Sequence, residues 1–296
     1  MKNVVVIIST YKAGKKLERQ LDSIFSQKGV NIRVYIRDDS SPDNTVEIIE
    51  SYKINHPNYN IDYIVGENLG YALSFLEALE KAGDADYYAF SDQDDVWIDD
   101  KIIKTINPME DDHIDTPKLA YCNMRRSDEN LNIYDEQINI LKPHELTKKI
   151  VLTQTFNYGA ATVFNRAAKK LICRCKPKGY DIPHDYWAGL LCFWFGQVFY
   201  VDDRLYYWIR YDTSVSGEGP KKSGRLYRIR ECIKRKSYPN VSYDLLNYYS
   251  DLLEPRDKVF LEKLSNYKED VRKKIGLLFD FGFRKIWKLY RWHGII

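Results

Sequence analysis

Residues 4–11 read Val-Val-Val-Ile-Ile-Ser-Thr-Tyr, five β-branched side chains in a row giving way to a polar end. A run with no polar alternation marks a strand covered on both faces, as in a parallel sheet. The rhythm continues outward from it. Lys15–Phe25 places Leu17, Leu21, Ile24 and Phe25 at helical spacing, and Ile32–Ile36 reads as a second strand. Asp43 stands where it can cap a helix carrying Val46, Ile48 and Ile49. Ile61–Val65, Tyr71–Leu79 and Tyr87–Phe90 then read strand, helix, strand. Strands alternating with short helices predict an α/β fold with a doubly wound, mostly parallel sheet, whose ligands sit beyond the carboxyl ends of the strands.

Those four ends are polar: Ser9-Thr10-Tyr11, Arg37-Asp38-Asp39-Ser40, Gly66-Glu67-Asn68 and Ser91-Asp92-Gln93-Asp94-Asp95. Four polar ends in one row describe one crevice. Asp92, Asp94 and Asp95 at the end of a buried strand repel one another unless a cation or hydrogen-bond donors compensate. Oxygen ligands of this kind suit Mn2+ or Mg2+. The plainer alternative is that one Asp caps a helix starting near Asp99 while the others are solvated. Asp38 and Asp39 lie in a stretch of turn formers, so they either shape a turn or, for Asp39, accept a hydrogen bond from a base or ribose. Asn68 and Gly70 are weaker candidates; a glycine there lets backbone approach a ligand closely.

Beyond residue 115 the pattern is mixed. Lys118–Asn123 and Phe156–Phe164 read as strands, Pro183–Phe195 as an apolar helix and Val198–Tyr211 as one or two strands. Gly217-Glu218-Gly219-Pro220 signals a linker, after which helices dominate. The 296 residues, 44% hydrophobic and 29% charged, are enough for a packed interior and argue against disorder. The apolar runs fall far below the ~18–20 residues of a membrane span. No secretory leader is read at the start, and the five cysteines show no disulfide or zinc spacing, so a soluble, cytoplasmic protein is expected. The net charge of +3 hides an asymmetry: residues 221–296 hold 19 Lys+Arg against 9 Asp+Glu, and the rest of the chain is net acidic.

Val4–Tyr11, Arg37–Thr45 (RDDSSPDNT), Glu67–Gly70 (ENLG) and Ser91–Trp97 (SDQDDVW), in that order, resemble the successive motifs of the inverting family 2 glycosyltransferases with the type-A fold. The Asp-Gln-Asp-Asp-Val-Trp form is similar to bacterial rhamnosyltransferases of surface-polysaccharide assembly. The resemblance extends through Phe156–Arg166 and His184–Trp187 and so covers roughly residues 1–217, leaving 218–296 as a basic helical extension. It implies that Thr10, Tyr11, Asp39, Asn68, Gly70, Asp92 and Gln93 bind a nucleotide-sugar donor and that Asp94 ligates a Mn2+ or Mg2+ ion on the diphosphate. Asp185 becomes the base that deprotonates the acceptor, with His184, Tyr186 and Trp187 lining the acceptor site. His184-Asp185 also suits a plain helix N-terminus, where the dipole favours Asp, and the two readings are compatible. Trp194 fits either a groove or the core. One departure stands out: relatives carry a metal-binding His where this chain has Tyr211, and Asp212 is a candidate substitute.

The resemblance implies transfer of a sugar, L-rhamnose from dTDP-rhamnose or else glucose or galactose from UDP, to a polysaccharide or lipid-linked glycan. A non-catalytic nucleotide-sugar-binding partner is the alternative that Tyr211 keeps open. A sugar-phosphate nucleotidyltransferase would need a glycine-rich phosphate loop after the first strand, and Lys12-Ala13-Gly14 has a single glycine. Residues 282–296 interleave Phe283, Ile286, Trp287 and Tyr290 with basic residues, which suits an interfacial membrane helix or a helix packed on the domain. No nucleic-acid-reading motif is present.

Overall fold

A computed structural model describes residues 1–111, 113, 115–135, 140–177, 182–211, 241–265 and 272. The chain begins β1 (Lys2–Thr10), α1 (Lys16–Phe25), β2 (Val30–Asp38), α2 (Thr45–Asn55), β3 (Asn60–Val65), α3 (Tyr71–Lys81) and β4 (Tyr87–Ser91). Val4 to Ile8 are all buried, as a strand sandwiched between helices must be. α1 buries Leu17, Leu21 and Ile24 and leaves Lys16 and Arg19 on another face. These four strands are mutually parallel in the order β3-β2-β1-β4, so their carboxyl ends form one edge.

The rest of the sheet is mixed. It is built from β5 (Val96–Trp97), α4 (Lys101–Ile106), β6 (Lys118–Ser127), β7 (Ile133–Asp135), α5 (Lys148–Val151), β8 (Thr162–Asn165), α6 (Arg166–Ile172), α7 (His184–Phe195) and β9 (Gln197–Ile209). The order continues β4-β8-β6-β9-β5, with β7 beside β6. β8 runs antiparallel to β4 and β6, while β6 and β9 are parallel.

Two local expectations change. The strand read over Phe156–Phe164 is confined to β8; a short 3-10 turn occupies Gly159–Ala161, and Asn157 and Gly159 direct their hydrogen bonds to Asp185 instead of a ladder. At the start of α2, Asn44 and not Asp43 stands at the N-cap; Asp43 accepts from the Thr45 amide at 3.3 Å and from Thr45 Oγ1 at 2.6 Å, and the helix buries Thr45, Ile49 and Tyr52.

The packing falls into two compact units. The first comprises residues 1–146, 155–176 and 182–212; the second comprises 147–154, 177–181 and 213–296. The second contains α8 (Val241–Tyr248) and α9 (Pro255–Ser265), and α5 is joined to α9 through an ion pair of Lys148 with Asp257 and through Lys149 over the Phe260 ring. The linker at 217–220, Asp212 and the amphipathic stretch 282–296 lie outside the described residues.

Candidate functional site

The carboxyl edge of the parallel strands is tied together by side chains from the motifs themselves. Thr10 and Asp38 are register partners at the ends of β1 and β2, and Thr10 Oγ1 donates to Asp38 Oδ2 at 2.8 Å. Asp38 also accepts from the Ser41 amide and hydroxyl. Lys12 and Ser40, each just past a strand end, hold φ of 53° and 63°, a left-handed strain found mostly where a site demands it. Asp39 is buried and accepts from Arg37 Nη1 at 2.5 Å and from the amides of Leu69 and Gly70, each at 2.9 Å. Of roughly four lone-pair directions on a carboxylate, that leaves one. Gly70, with φ 77°, is the residue that can turn its amide toward Asp39 while opening α3. Asn68 is exposed beside it.

Arg37 is the hub of this edge. Almost wholly buried, it also bonds Glu77 at 2.9 Å, Ser74 Oγ at 3.1 Å and the Glu67 carbonyl at 2.9 Å. Gln93 joins β4 to β1: its Oε1 accepts from the Tyr11 amide at 2.9 Å and its Nε2 donates to the Tyr11 carbonyl at 3.1 Å. The Tyr11 ring is left exposed at the rim, as is that of Tyr71. The sequence offered no sign of Arg37's role, since an arginine before Asp-Asp reads as a solvated charge.

Asp92, Asp94 and Asp185 converge. Burial first, then the neighbouring charges of Asp94 and Asp185, push the Asp92 carboxyl well above the usual carboxylate range. Asp185 lies in the first turn of α7, where its Oδ2 accepts from the Gly159 amide at 3.0 Å and its Oδ1 from the Tyr186 amide at 2.7 Å. Burial raises it to about 6, against these stabilising amides. Asn157 Nδ2 donates to the Asp185 carbonyl at 3.1 Å and so fixes the helix start. A half-buried carboxylate that is ionised near neutral pH and beside a strand-end crevice is equipped to take a proton. Tyr186 is half-buried next to it. Asp95 plays a different part: it is buried, and its Oδ1 accepts from the Ile209 amide at 3.2 Å, linking the acidic motif to the end of β9.

Two expected acceptor contacts are corrected. Trp187 is fully buried, with its Nε1 donating to the Cys175 carbonyl at 3.2 Å, so its ring belongs to the core and faces no groove. His184 is 4% exposed and stacks on Phe75 at 3.8 Å between ring centroids. Burial holds its pKa down to about 3, so the ring is neutral and forms the wall behind Asp185. Both follow from α7 turning its apolar side inward: His184, Trp187 and Leu191 recur at helical spacing. Trp194 is also buried.

The metal expectation fares differently again. Tyr211 stands beside Asp94, its hydroxyl 3.4 Å from the Asp94 carbonyl oxygen, and it accepts from Arg19 Nη2 at 2.7 Å. The Lys16 ammonium lies 3.5 Å from the centroid of the Tyr211 ring. Burial raises the Asp94 carboxyl, while Lys16, Arg19 and Arg210 pull it back. A phenol committed to an arginine is a poor ligand, and three cationic side chains oppose the approach of another cation. Among the described residues no three His, Cys, Asp or Glu side chains are grouped to hold a metal. The described residues around Asp94 therefore do not by themselves supply a set of metal ligands, and Asp212, the candidate substitute, lies outside them. Lys16 and Arg19 were legible only as the polar side of α1; their signal is position, since the first turns of a helix after β1 lie at the carboxyl edge.

The sequence model of glycosyl transferase family 2 matches residues 5–172. The dTDP-rhamnosyl transferase RfbG of Shigella flexneri is 38% identical over 103 residues, covering 34% of this chain and 36% of that protein. The UDP-Glc:alpha-D-GlcNAc-diphosphoundecaprenol beta-1,3-glucosyltransferase WfaP of Escherichia coli is 32% identical over 114 residues, covering 38% of this chain and 44% of that protein. The matched segments thus span between a third and a half of these relatives. Among solved structures, residues 1–349 of S. aureus TarS in complex with UDP align with a TM-score of 0.57 at 16% identity, covering 97% of this chain and 78% of that one. The mannosyltransferase PcManGT of Pyrobaculum calidifontis, in complex with GDP-Man and Mn2+, aligns at 0.53 and 16%, covering 99% and 84%.

Proposed function

The chain belongs to glycosyl transferase family 2 and carries the type-A fold, and from that premise we propose that it is an inverting transferase with Asp185 as its base. The observation that carries this reading is the Asp185 carboxylate, raised to about 6, presented by the Gly159 amide and close enough to Asp92 to perturb it. In the proposed step Asp185 takes the proton of an acceptor hydroxyl. That oxygen bonds to the anomeric carbon from one face while the carbon–oxygen bond to the diphosphate breaks on the other, and the nucleoside diphosphate leaves. Approach and departure on opposite faces invert the centre.

The donor would lie along the strand ends, its base against Tyr11 and the last acceptor direction of Asp39 toward a base N–H; Thr10, expected to touch the base, is fully buried and instead supports Asp38. Asn68 and Gly70 would border it, and Asp92 would meet the ribose and sugar. dTDP-L-rhamnose is the donor favoured by the likeness to RfbG, with UDP-glucose or UDP-galactose next, as the likeness to WfaP allows. The acceptor would be a polysaccharide or polyprenyl-linked glycan, lying past Tyr186. A cytoplasmic site at the inner membrane face, reached through residues 282–296, belongs to the same proposal. No helix among the described residues is long and apolar enough to cross a membrane.

The test is transfer from a panel of radiolabelled dTDP- and UDP-sugars to polyprenyl-diphosphate-linked glycans, by wild type and Asp185→Asn. A loss of roughly 10²–10⁴-fold in kcat with donor affinity retained is the expected outcome for a missing general base. Absence of turnover with every donor, or wild-type turnover in Asp185→Asn, defeats the reading.

A further inference from the structure

A donor diphosphate brought to this edge adds negative charge beside Asp92 and Asp94, and something must offset it. Lys16 and Arg19 occupy one face of α1, one turn apart, at the end of β1. Arg19 is held at both ends of its guanidinium, Nη1 donating to the Glu129 carbonyl at 2.5 Å and Nη2 to Tyr211 at 2.7 Å. Lys16 sits on the face of the same Tyr211 ring. Neither lies within ion-pair distance of a carboxylate among the described residues. Two half-buried cations, whose charge reaches Asp94 without an ion-pair contact to it, are arranged for a ligand that brings its own negative charge.

We propose that Lys16 and Arg19 bind the diphosphate of the donor and offset the charge that develops on it as it leaves, with Tyr211 as the positioning residue that aims both. The inference rests on the transferase reading above and departs from it in one respect: nucleoside diphosphate binds here without a divalent cation. A preorganised cationic pair stabilises the departing group wherever its charge grows, without needing a metal to be assembled first. Tyr211 suits this part better than an imidazole, since its hydroxyl accepts from Arg19 while its ring face attracts Lys16.

The experiment is calorimetric titration of dTDP and UDP, and of dTMP and UMP as controls, in EDTA and in Mn2+. Wild type, Lys16→Met, Arg19→Met and Tyr211→Phe are compared, all at positions that leave the core intact. Wild type is expected to bind one of the diphosphates in EDTA nearly as well as in Mn2+. Each Met variant should weaken the diphosphate by about tenfold or more, the loss of one charge-assisted contact, and the monophosphate far less. Tyr211→Phe should narrow the preference for diphosphate over monophosphate, a change that general loosening of the fold would not produce, and Arg19→Lys should recover part of the Arg19→Met loss. Diphosphate binding that vanishes in EDTA and ignores Lys16 and Arg19 overturns the inference while leaving the transferase reading standing. Failure of every nucleotide to bind wild type in either buffer overturns both.

Discussion

Asp185 shows how one side chain draws its chemistry from its surroundings. Its carboxyl is neutral below about 6 and ionised above, and only the ionised form accepts a proton. The transferase rate, kcat/KM, is therefore expected to fall about tenfold per pH unit as pH drops below that value. Stability runs the other way. A folded-state pKa raised above the unfolded ~3.9 gives a contribution that is fully present below about 4 and lost as pH rises through about 6. Denaturant midpoints between pH 4 and 7 should accordingly decline less steeply in Asp185→Asn than in wild type. Gly159 is the second residue to test. A Cβ there would lie 2.8 Å from His184 Nε2, and the ring, stacked on Phe75, has no room to retreat. Gly159→Ala should cost roughly 1–3 kcal/mol by overpacking and lower kcat by shifting Asp185; unchanged melting and turnover would remove Gly159 from the account.

At the scale of elements, the strand ends are held by two devices. Arg37 ties β2 to α3 and to the 67–70 turn through Asp39, Glu77 and the Glu67 carbonyl. Arg37→Leu leaves the buried Asp39 without its counter-charge, while Glu77 keeps Lys81, so a loss of about 3–5 kcal/mol in denaturation is expected. Gln93 spans the ends of β4 and β1 by two hydrogen bonds at a half-buried position. Gln93→Ala should cost only ~1 kcal/mol in stability but weaken nucleotide affinity, because the Tyr11 backbone loses its anchor. The strands and helices up to residue 91 were legible from β-branched runs and helical spacing. The two-residue β5 and the turn at Gly159–Ala161 were not, since their conformation is set by partners far along the chain: β9 for the one, Asp185 for the other.

For the whole molecule, the expected consequence of ligand binding is confined to the first unit, which holds every described site residue. A nucleotide at a hundred times its Kd stabilises the state that binds it by about 2.7 kcal/mol. Scanning calorimetry should show a transition of that unit moving upward with nucleotide while any separate transition of the second unit stays in place. Movement of both together would mean that the units unfold as one.

The sequence by itself determined that β1 to β4 form a parallel edge and that polar ends line it, because burial on both faces and the period of a helix are written in local residue choice. It also brought Asp92, Asp94 and Asp185 to attention as carboxylates. Only the tertiary structure decided what surrounds them. Trp187 and His184 went to the core because α7 packs that face inward, and Lys16 and Arg19 came to Tyr211 across more than 190 residues of chain. Charge at a site is a sum over neighbours in space, and pairs so distant in sequence leave no spacing in it to read.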